Sequence, residues 1–244
     1  MTVSILKPDE NNWVETLNGM GYMSLSFDPY TQAFLDSCAS NPGIRVFEGG
    51  AAYGQACLAA LEVGAFVTAN DSDGRHLSLL EQRTPPELRR NLILKEGRLP
   101  DKVECPAESF ESILCSRMLH FLRGEEIQQC LAKFYQWLKR GGRAYLVAET
   151  PYLGCYASFI PTYEDRKRKN VPWPGFLEDT SRFSQIRYNN IPSFLHFLDP
   201  DILTELCRRV GFVIEKAGFI DRSDFPPDLR LDGRESVGIV AKKS

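Results

Sequence analysis

The chain has 244 residues, of which 43% are hydrophobic and 25% are charged, and its net charge is −3. This composition can bury a substantial core and fits one domain, residues 1–244. It argues against a general nucleic-acid binder, because such proteins usually carry a strong positive excess. The seven cysteines form no C-x-x-C pair and only three histidines are present, so we expect buried thiols in a reducing compartment and no metal site.

No segment of the sequence looks like a targeting signal or a membrane span. The first residues, MTVSILKPDENNW, lack the basic and then apolar pattern of a signal peptide. No apolar run approaches the ~20 residues that a transmembrane helix needs. We therefore expect a soluble, cytoplasmic protein without a membrane partner.

From Gly43 onward, predicted strands alternate with predicted helices. The strands are expected at 44–47, 65–71, 91–97 and 112–116, and the helices at 55–63, 76–82 and 125–140. The helix over 125–140 has the clearest apolar stripe, formed by Ile127, Leu131, Phe134 and Leu138. We expect it to end at Gly141, with Lys139 and Arg140 in its last turn, where cations suit the helix dipole.

The alternation stops after a fifth strand at 143–149 and resumes near residue 200. Residues 151–196 are rich in proline, aromatic and charged residues and show no helical or strand period. A helix over 200–209, capped by Asp199, and strands at 212–219 and 236–243 complete the chain. This order predicts an α/β fold: a doubly wound, mostly parallel sheet with helices on both faces. The ligand of such a sheet lies beyond the carboxyl ends of the strands.

The segment VFEGGAAYG, residues 46–54, stands where the first of these strands turns into a helix. Its small residues let backbone N–H groups approach a ligand closely. A second carboxylate, Asp71, ends the next strand about 20 residues beyond the turn, where an acidic side chain can accept hydrogen bonds from ribose hydroxyls. Together, the turn, the helix and Asp71 predict a nucleoside site.

The spacing of the glycines distinguishes between nucleoside cofactors. A dinucleotide fingerprint, G-x-G-x-x-G, would need glycine where Ala52 and Gln55 stand, and no Gly-Lys-Ser/Thr of a P-loop follows the turn. The pattern (Asp/Glu)-x-Gly-x-Gly-x-Gly fits when it is read as Glu48, Gly50, Ala52 and Gly54, and Ala52 is its departure. An anionic Glu48 would repel a pyrophosphate but suits the ammonium of a methionine moiety.

With these residues the chain resembles a class I S-adenosylmethionine-dependent methyltransferase. The resemblance extends to ANDSD at 69–73, EGRLPD at 96–101, AESFESILCSRMLHFL at 107–122 and WLKRGGRAYLV at 137–147. The last two segments are the most specific, because they match in order and at the expected distances. Outside 151–196 the resemblance covers roughly residues 43–244. Arg98 departs from it, since many members place an acidic residue there.

The resemblance implies a seven-stranded sheet whose last strand is antiparallel, S-adenosylmethionine as the cofactor, and transfer of its sulfonium methyl by in-line displacement. Carried over residue by residue, the cofactor site would comprise Glu48, Gly49, Gly50, Ala51, Ala52, Gly54, Asp71, Ser72, Asp73, Arg98, Leu99 and Ser116. His120, just past the fourth strand, stands near where the family's chemistry takes place and is a candidate general base. The alternative for His120 is a packed, hydrogen-bonded histidine.

Absent motifs narrow the acceptor to a small molecule or a peptide group. Residues 115–118, after the fourth strand, do not form the Asn/Asp-Pro-Pro-aromatic motif of enzymes that methylate nucleic-acid amino groups. Cys105 and Pro106 stand in the reverse order of a cytosine-C5 nucleophile, and no aspartate stands where metal-dependent catechol-type enzymes place one. We predict a small-molecule acceptor and no nucleic-acid partner.

The acceptor pocket is expected from residues outside the repeating core. These are the N-terminal segment 18–40, predicted to be helical and to lie on the acceptor side, and the insertion 151–196, predicted to act as a lid. The candidate acceptor contacts are Tyr22, Met23, Tyr152, Tyr156 and Trp173. The basic run EDRKRKN at 164–170 is expected to be a solvated helix face.

Two other functions are compatible with the sequence. One is a protein or peptide methyltransferase, and the other is a non-catalytic regulator or binding protein that keeps the cofactor fold. A nucleotide-dependent oxidoreductase is disfavoured by the missing glycines at Ala52 and Gln55. The sequence leaves the oligomeric state open.

Overall fold

The computed structural model describes residues 6–9, 12–183 and 191–244. Its strands are β1 (Trp13–Glu15), β2 (Tyr22–Ser24), β3 (Arg45–Gly49), β4 (Phe66–Asp71), β5 (Leu92–Glu96), β6 (Phe110–Ser116), β7 (Leu138–Glu149), β8 (Phe176–Leu177), β9 (Leu195–His196), β10 (Val213–Ile220) and β11 (Ser236–Lys242). Its helices are α1 (Pro29–Ser40), α2 (Gln55–Glu62), α3 (Gly74–Arg83), α4 (Gly124–Trp137), α5 (Ile160–Arg168) and α6 (Pro200–Val210).

A single sheet takes up seven of these strands in the order β10-β11-β7-β6-β3-β4-β5. The strands from β3 to β7 pair in parallel, whereas β11 is antiparallel to both of its neighbours, β7 and β10. The central strands are largely buried because helices cover both faces of the sheet. The predicted doubly wound sheet and its antiparallel last strand are therefore confirmed.

Two apolar cores hold the helices against the sheet. On one face, Phe34 of α1, Leu61 of α2 and Leu80 of α3 belong to the same buried cluster as the inner residues of β3 and β4. On the other face, Phe134 of α4 and Leu203 of α6 pack with residues of β6, β7 and β11. Each such side chain contributes about 1.5–3 kcal/mol when it is fully buried, so these contacts fix the carboxyl edge of the sheet.

The helix predicted over 125–140 ends three residues earlier in the structure, because α4 stops at Trp137. Leu138 is extended and pairs with Phe110 of β6, so β7 begins there and takes in the two basic residues that follow. Gly141, with φ of 78°, lies within the strand rather than after the helix. The predicted helix end was wrong because the strand partner that competes for Leu138 comes from a different element of the chain.

Of the segment 18–40, predicted to be helical, residues 22–24 form the strand β2 and only residues 29–40 form a helix, α1, which packs on the central sheet. The hairpin before α1 and the insertion form short elements outside that sheet. β1 and β2 make an antiparallel hairpin, and β8 pairs with β9. The insertion also contains a 3₁₀-helix at Gly154–Phe159 and then α5, although its sequence shows no period. A third apolar cluster joins Trp13 of the hairpin, Tyr156 and Phe197 of the chain around the insertion, and Phe225 between β10 and β11. These parts therefore pack together as one wall.

The basic run at 164–170 lies largely in α5. Arg168 and Lys169 are exposed and pair with Asp165, as expected of a solvated helix face. Lys167 differs because it pairs with the buried carboxylate of Asp199. Within the described ranges, none of the helices combines the length and the apolar character that crossing a membrane requires.

Candidate active site

A cavity of about 480 Å³ lies at the carboxyl edge of the central sheet. One half is lined by the turn after β3 and by residues that follow β4 and β5. The other half is lined by the β1–β2 hairpin, the insertion and residues 221–235 between β10 and β11, called here the 221–235 loop. This is the position in which open α/β sheets bind their ligands.

The turn between β3 and α2 has a mostly left-handed backbone. Gly50 and Gly54 have φ of 73° and 74°, and Ala52 has φ of 46°. Glycine enters this region freely, whereas a Cβ there costs roughly 1–2 kcal/mol, so Ala52 is strained. The Ala51 N–H donates to the Asn70 carbonyl over 2.8 Å, which fixes the turn against β4. The turn thus presents nearly bare backbone to the cavity.

Asp71, at the end of β4, is a buried carboxylate that holds three parts of the site together. Its Oδ2 accepts the Ala52 N–H (2.8 Å), and its Oδ1 accepts the Asp73 N–H (2.9 Å). His76 Nδ1 lies 3.1 Å from the same Oδ1, and His76 Nε2 accepts the Leu17 N–H (2.9 Å). Because Nε2 is an acceptor, the neutral ring carries its proton on Nδ1 and donates it to Asp71. The N-terminal segment is therefore tied to the carboxylate through His76.

The loop after β5 is connected to β4 by Asn70. Its Nδ2 donates to the carbonyls of Lys95 (2.8 Å) and Gly97 (2.9 Å). Arg98 lines the cavity, but its guanidinium pairs with Glu126 of α4 over 2.7 Å. The loop can therefore face a ligand with its backbone while the arginine charge is neutralised elsewhere.

Glu48, at the end of β3, is 7% exposed and lines the cavity. Burial raises the pKa of its carboxyl to about 7, although the Cys57 thiol lowers it by donating to Oε2 over 2.7 Å. The charge of Asp71 raises the pKa of Glu48 further. A cationic ligand at Glu48 would offset the cost of burying the charged carboxylate, so the site favours an ammonium group over an anion.

We expect Glu48→Gln to change the pH dependence of stability in the ligand-free protein. The pKa of Glu48 is about 7 in the folded protein, against an ordinary value of 4.5. The folded chain therefore binds the extra proton between the ordinary pKa of a glutamate, 4.5, and the folded pKa of about 7, and its stability falls as the pH rises through this range. Urea unfolding at pH 5 to 8 should show the variant gaining about 2–3 kcal/mol on the wild-type protein across that range. Parallel curves for the two proteins would contradict this.

His120, the candidate general base, is 3% exposed and lines the cavity. Its Nδ1 accepts the Glu149 backbone N–H over 3.3 Å. Burial lowers the pKa of the ring to about 4, with Glu149 opposing and Arg117 assisting the decrease. Near neutral pH the ring is therefore uncharged and carries its proton on Nε2. This geometry suits a hydrogen-bond donor and argues against the general-base role.

The ring tautomers provide a direct check by nitrogen NMR of the ¹⁵N-labelled protein. At pH 7 we expect His120 to be protonated on Nε2 alone, with a titration midpoint near 4 because burial disfavours the imidazolium. His76 is the matched control, since its contacts require the reverse tautomer, protonated on Nδ1. A proton on Nδ1 of His120, or a titration midpoint near 6.5, would support the role of His120 as a general base.

The cavity brings together most of the residues that the sequence predicts for the site. It is lined by Glu48, Gly50, Ala51, Ala52, Asp71, Ser72, Arg98, Leu99, Ser116, His120, Tyr22, Met23 and Tyr156. Three of the predicted cofactor residues do not line it. Gly49 packs against Leu99, and Gly54 packs against Leu80. Asp73 caps α3 and pairs with Arg75.

Two predicted acceptor contacts, Tyr152 and Trp173, also lie away from the cavity. The Tyr152 hydroxyl donates to Glu164, and the guanidinium carbon of Arg234 lies 3.7 Å from the centre of its ring. Trp173 packs on Gly124 at the start of α4. Both rings are used in packing, because the insertion folds back on itself and presents other side chains to the cavity.

Several cavity residues were not found from the sequence, and the most notable are charged. Arg117 Nε donates to Glu149 Oε1 over 2.6 Å, and Glu149 Oε2 accepts the Ser236 hydroxyl over 2.7 Å. Arg222 forms a two-point pair with Asp224, each distance 2.9 Å. Burial disfavours ionisation of Glu149, but Arg117, His120 and Arg222 together keep its pKa below the ordinary value. Arg117 could have been suspected because it directly follows β6, whereas no local signal marks the 221–235 loop.

Comparison with known proteins places the fold in a recognised group. Residues 47–146 match the family model described as "Methyltransferase domain". A search of curated proteins finds none that matches the chain. Among solved structures, an S-adenosylmethionine-dependent methyltransferase from Mesorhizobium loti is 19% identical with a TM-score of 0.62, over 87% of this chain and 97% of that one.

Two further similar structures were solved with S-adenosylhomocysteine bound. The 1,6-didemethyltoxoflavin-N1-methyltransferase of Burkholderia thailandensis is 18% identical with a TM-score of 0.58, over 88% of this chain and 77% of that one. The magnesium protoporphyrin IX methyltransferase of Synechocystis PCC 6803 is 15% identical with a TM-score of 0.55, over 88% of this chain and 84% of that one. The resemblance predicted from the sequence is thereby confirmed at the level of the fold and of the domain model.

Proposed function

We propose that this chain, which has the class I Rossmann-like fold of S-adenosylmethionine-dependent methyltransferases and a methyltransferase domain over residues 47–146, methylates a small molecule. One observation carries the proposal. One cavity is lined both by the bare-backbone turn with its two carboxylates, Glu48 and Asp71, and by a set of aromatic residues, and the part beside the aromatic residues is called here the second compartment. Such a cavity can hold a nucleoside cofactor and an acceptor side by side.

S-adenosylmethionine is the cofactor, and the residues present fit it. Glu48 would hold the ammonium, since its buried carboxyl is stabilised in the charged form by a cation. Asp71 would accept hydrogen bonds from the ribose hydroxyls, as acidic groups at this strand end do in related folds. The turn at Gly50, which lines the cavity, would lie against the cofactor with its backbone. A Cβ at Gly50 would also lie 2.7 Å from Cγ of Met118, so the turn has no room for a side chain there. The bound cofactor supplies a methyl group on a positively charged sulfur.

The second compartment supports a small, flat acceptor. Its walls include six aromatic residues, called here the acceptor wall: Trp13, Tyr22, Phe121, Tyr156, Phe197 and Phe225. Aromatic side chains bind apolar ring systems over a large area with little loss of conformational freedom. The wall draws on the hairpin, the chain around the insertion and the 221–235 loop, so we propose that the segments 18–40 and 151–196 enclose the acceptor.

The protein's part in the reaction is alignment and exclusion of water. In-line displacement requires the acceptor atom to face the methyl group, and holding two reactants in this way can supply several kcal/mol. The rings of the acceptor wall line much of the compartment, and His120 Nε2–H can donate a hydrogen bond to an acceptor oxygen or nitrogen. The acceptor's own proton then leaves to solvent or to a basic atom of the acceptor itself, since His120 has no free acceptor nitrogen in this tautomer.

Transfer of a tritiated methyl group into size-fractionated cell extract tests the proposal. We expect label in the small-molecule fraction with the wild-type protein and much less label with Asp71→Asn when the cofactor is not saturating. Label confined to the macromolecular fraction would favour a protein or peptide methyltransferase instead. S-adenosylhomocysteine binding without any transfer would favour a non-catalytic binding protein.

A further inference from the structure

Two arginines are stacked on aromatic rings of the acceptor wall. The guanidinium carbon of Arg117 lies 4.8 Å from the ring centre of Trp13 and 5.0 Å from that of Phe225. The guanidinium carbon of Arg222 lies 4.1 Å from the ring centre of Phe225. Both arginines line the cavity, and the Arg222 side chain is 2% exposed. Two cationic planes therefore border the compartment in which the acceptor would lie.

Arg222 has a donor that the protein does not use. Its Nε and Nη2 donate to Asp224, whereas Nη1 is buried and has no hydrogen-bond partner among the described residues. A buried N–H without an acceptor costs free energy, and donors of guanidinium groups are the strongest in proteins. The guanidinium is paired with Asp224 and stacked on Phe225, and this arrangement leaves Nη1 without an acceptor. An oxygen of a bound molecule would satisfy Nη1.

The charges around the arginines restrict what this oxygen can be. Arg117 is paired with Glu149 and Arg222 with Asp224, so the four side chains balance formally. The carboxylate of Asp28 also lines the cavity, but it accepts the N–H groups of Tyr30 and Thr31 and the Thr31 hydroxyl. A cationic acceptor group would therefore find no free carboxylate among these three, whereas an oxygen acceptor would find the unused donor of Arg222.

We propose that Arg222, supported by Arg117, binds an oxygen of a conjugated or aromatic acceptor, so that the substrate is a flat molecule carrying a carboxylate or carbonyl group. This inference rests on the proposed function and narrows its substrate class. The rings of Trp13 and Phe225 would hold the flat part, and Nη1 of Arg222 would fix its orientation. Arg222 is thus assigned a role in specificity, which no pattern in the sequence indicates.

Fluorescence titration of the protein saturated with S-adenosylhomocysteine tests this with three probes. These are 2-naphthoate, 2-naphthamide and 2-methylnaphthalene, which share a ring system but carry a carboxylate, a carbonyl amide and no oxygen. We expect Arg222→Met to weaken binding of the first two probes by roughly tenfold or more and to leave 2-methylnaphthalene unchanged. The ratio of the wild-type affinities for 2-naphthoate and 2-naphthamide shows whether the site prefers a carboxylate or a carbonyl group.

Two controls keep the result interpretable. Arg234→Met removes an arginine that is also paired with an aspartate and stacked on an aromatic ring, but outside the cavity, and should bind every probe as the wild type does. Arg222→Lys keeps a cation beside Asp224 and lacks Nη1, so it should lose affinity even if Arg222→Met is poorly folded.

Equal affinity of wild type and both Arg222 variants for the oxygen-bearing probes would overturn the inference, as would failure of those probes to bind the wild-type protein. Calorimetry with S-adenosylhomocysteine distinguishes a failure of this inference from a failure of the proposed function. If the cofactor product does not bind, the proposed function fails, and the same titrations on the ligand-free protein still decide the role of Arg222.

Discussion

Asp71→Asn is expected to weaken binding of S-adenosylhomocysteine by roughly 5- to 150-fold, the range that corresponds to losing a buried hydrogen-bond acceptor. The carboxylate accepts bonds from Ala52, Asp73 and His76. An amide of the same shape keeps one oxygen, so its NH₂ group must face a donor. Losing one acceptor oxygen of Asp71 affects both the ribose contact and the turn. Isothermal calorimetry measures the resulting loss of affinity for S-adenosylhomocysteine.

Asp73→Asn is the matched control for this prediction. Asp73 caps α3 by accepting the Arg75 N–H and pairs with the Arg75 side chain, and it does not line the cavity. We expect the stability of this variant to stay close to that of the wild type, because asparagine also caps helices and the Arg75 side chain of the lost ion pair is exposed. Its cofactor affinity should also stay close to the wild-type value. Equal losses of affinity in the two variants would mean that the ribose contact is misplaced.

Gly54→Ala is expected to destabilise the folded protein by about 2–5 kcal/mol. Gly54 begins α2 with φ of 74°, where a Cβ is strained. A Cβ at this position would also lie 2.3 Å from Cδ1 of Leu80, which is fully buried. The strain and the clash add, because neither the turn nor the core can shift alone. Urea unfolding followed by circular dichroism measures the change.

Gly64→Ala, near the other end of α2, separates the two contributions. Gly64 also has a positive φ of 89°, but a Cβ there would approach only Pro42, at 3.9 Å. We expect this variant to lose about 1 kcal/mol, from backbone strain alone. If both substitutions cost the same, packing of Gly54 against Leu80 contributes nothing to stability.

The strands and helices of the central sheet could be predicted because their signals are local. The turn at Gly50 and Gly54, the acidic strand ends at Glu48 and Asp71, and the cap at Asp199 are each defined by a few neighbouring residues. The parallel pairing of the strands then follows from their alternation with helices, since parallel strands need crossovers on the faces of the sheet. The cofactor half of the cavity follows from the same rule.

The error at the end of α4 has the opposite origin. The apolar stripe continues through Leu138, and Gly141 follows as a helix stop would. Leu138 nevertheless pairs with Phe110 in the sheet, a contact between different elements. Local propensity is a weak preference that such a partner overrides. Tyr152 and Trp173 were misplaced because composition identifies aromatic residues but not the direction in which they face.

The sequence by itself therefore determined the succession of strands and helices along the chain, the bare-backbone turn and the two carboxylates beside it, since each depends on residues a short distance apart. Only the tertiary structure decided the state of His76 and His120 and the pairing of Arg117 and Arg222 with their carboxylates around one compartment. The bond from Leu17 to His76 joins residues 59 positions apart. Contacts of this kind depend on how the chain packs, and no local pattern encodes which distant backbone N–H or carboxylate will meet a given side chain.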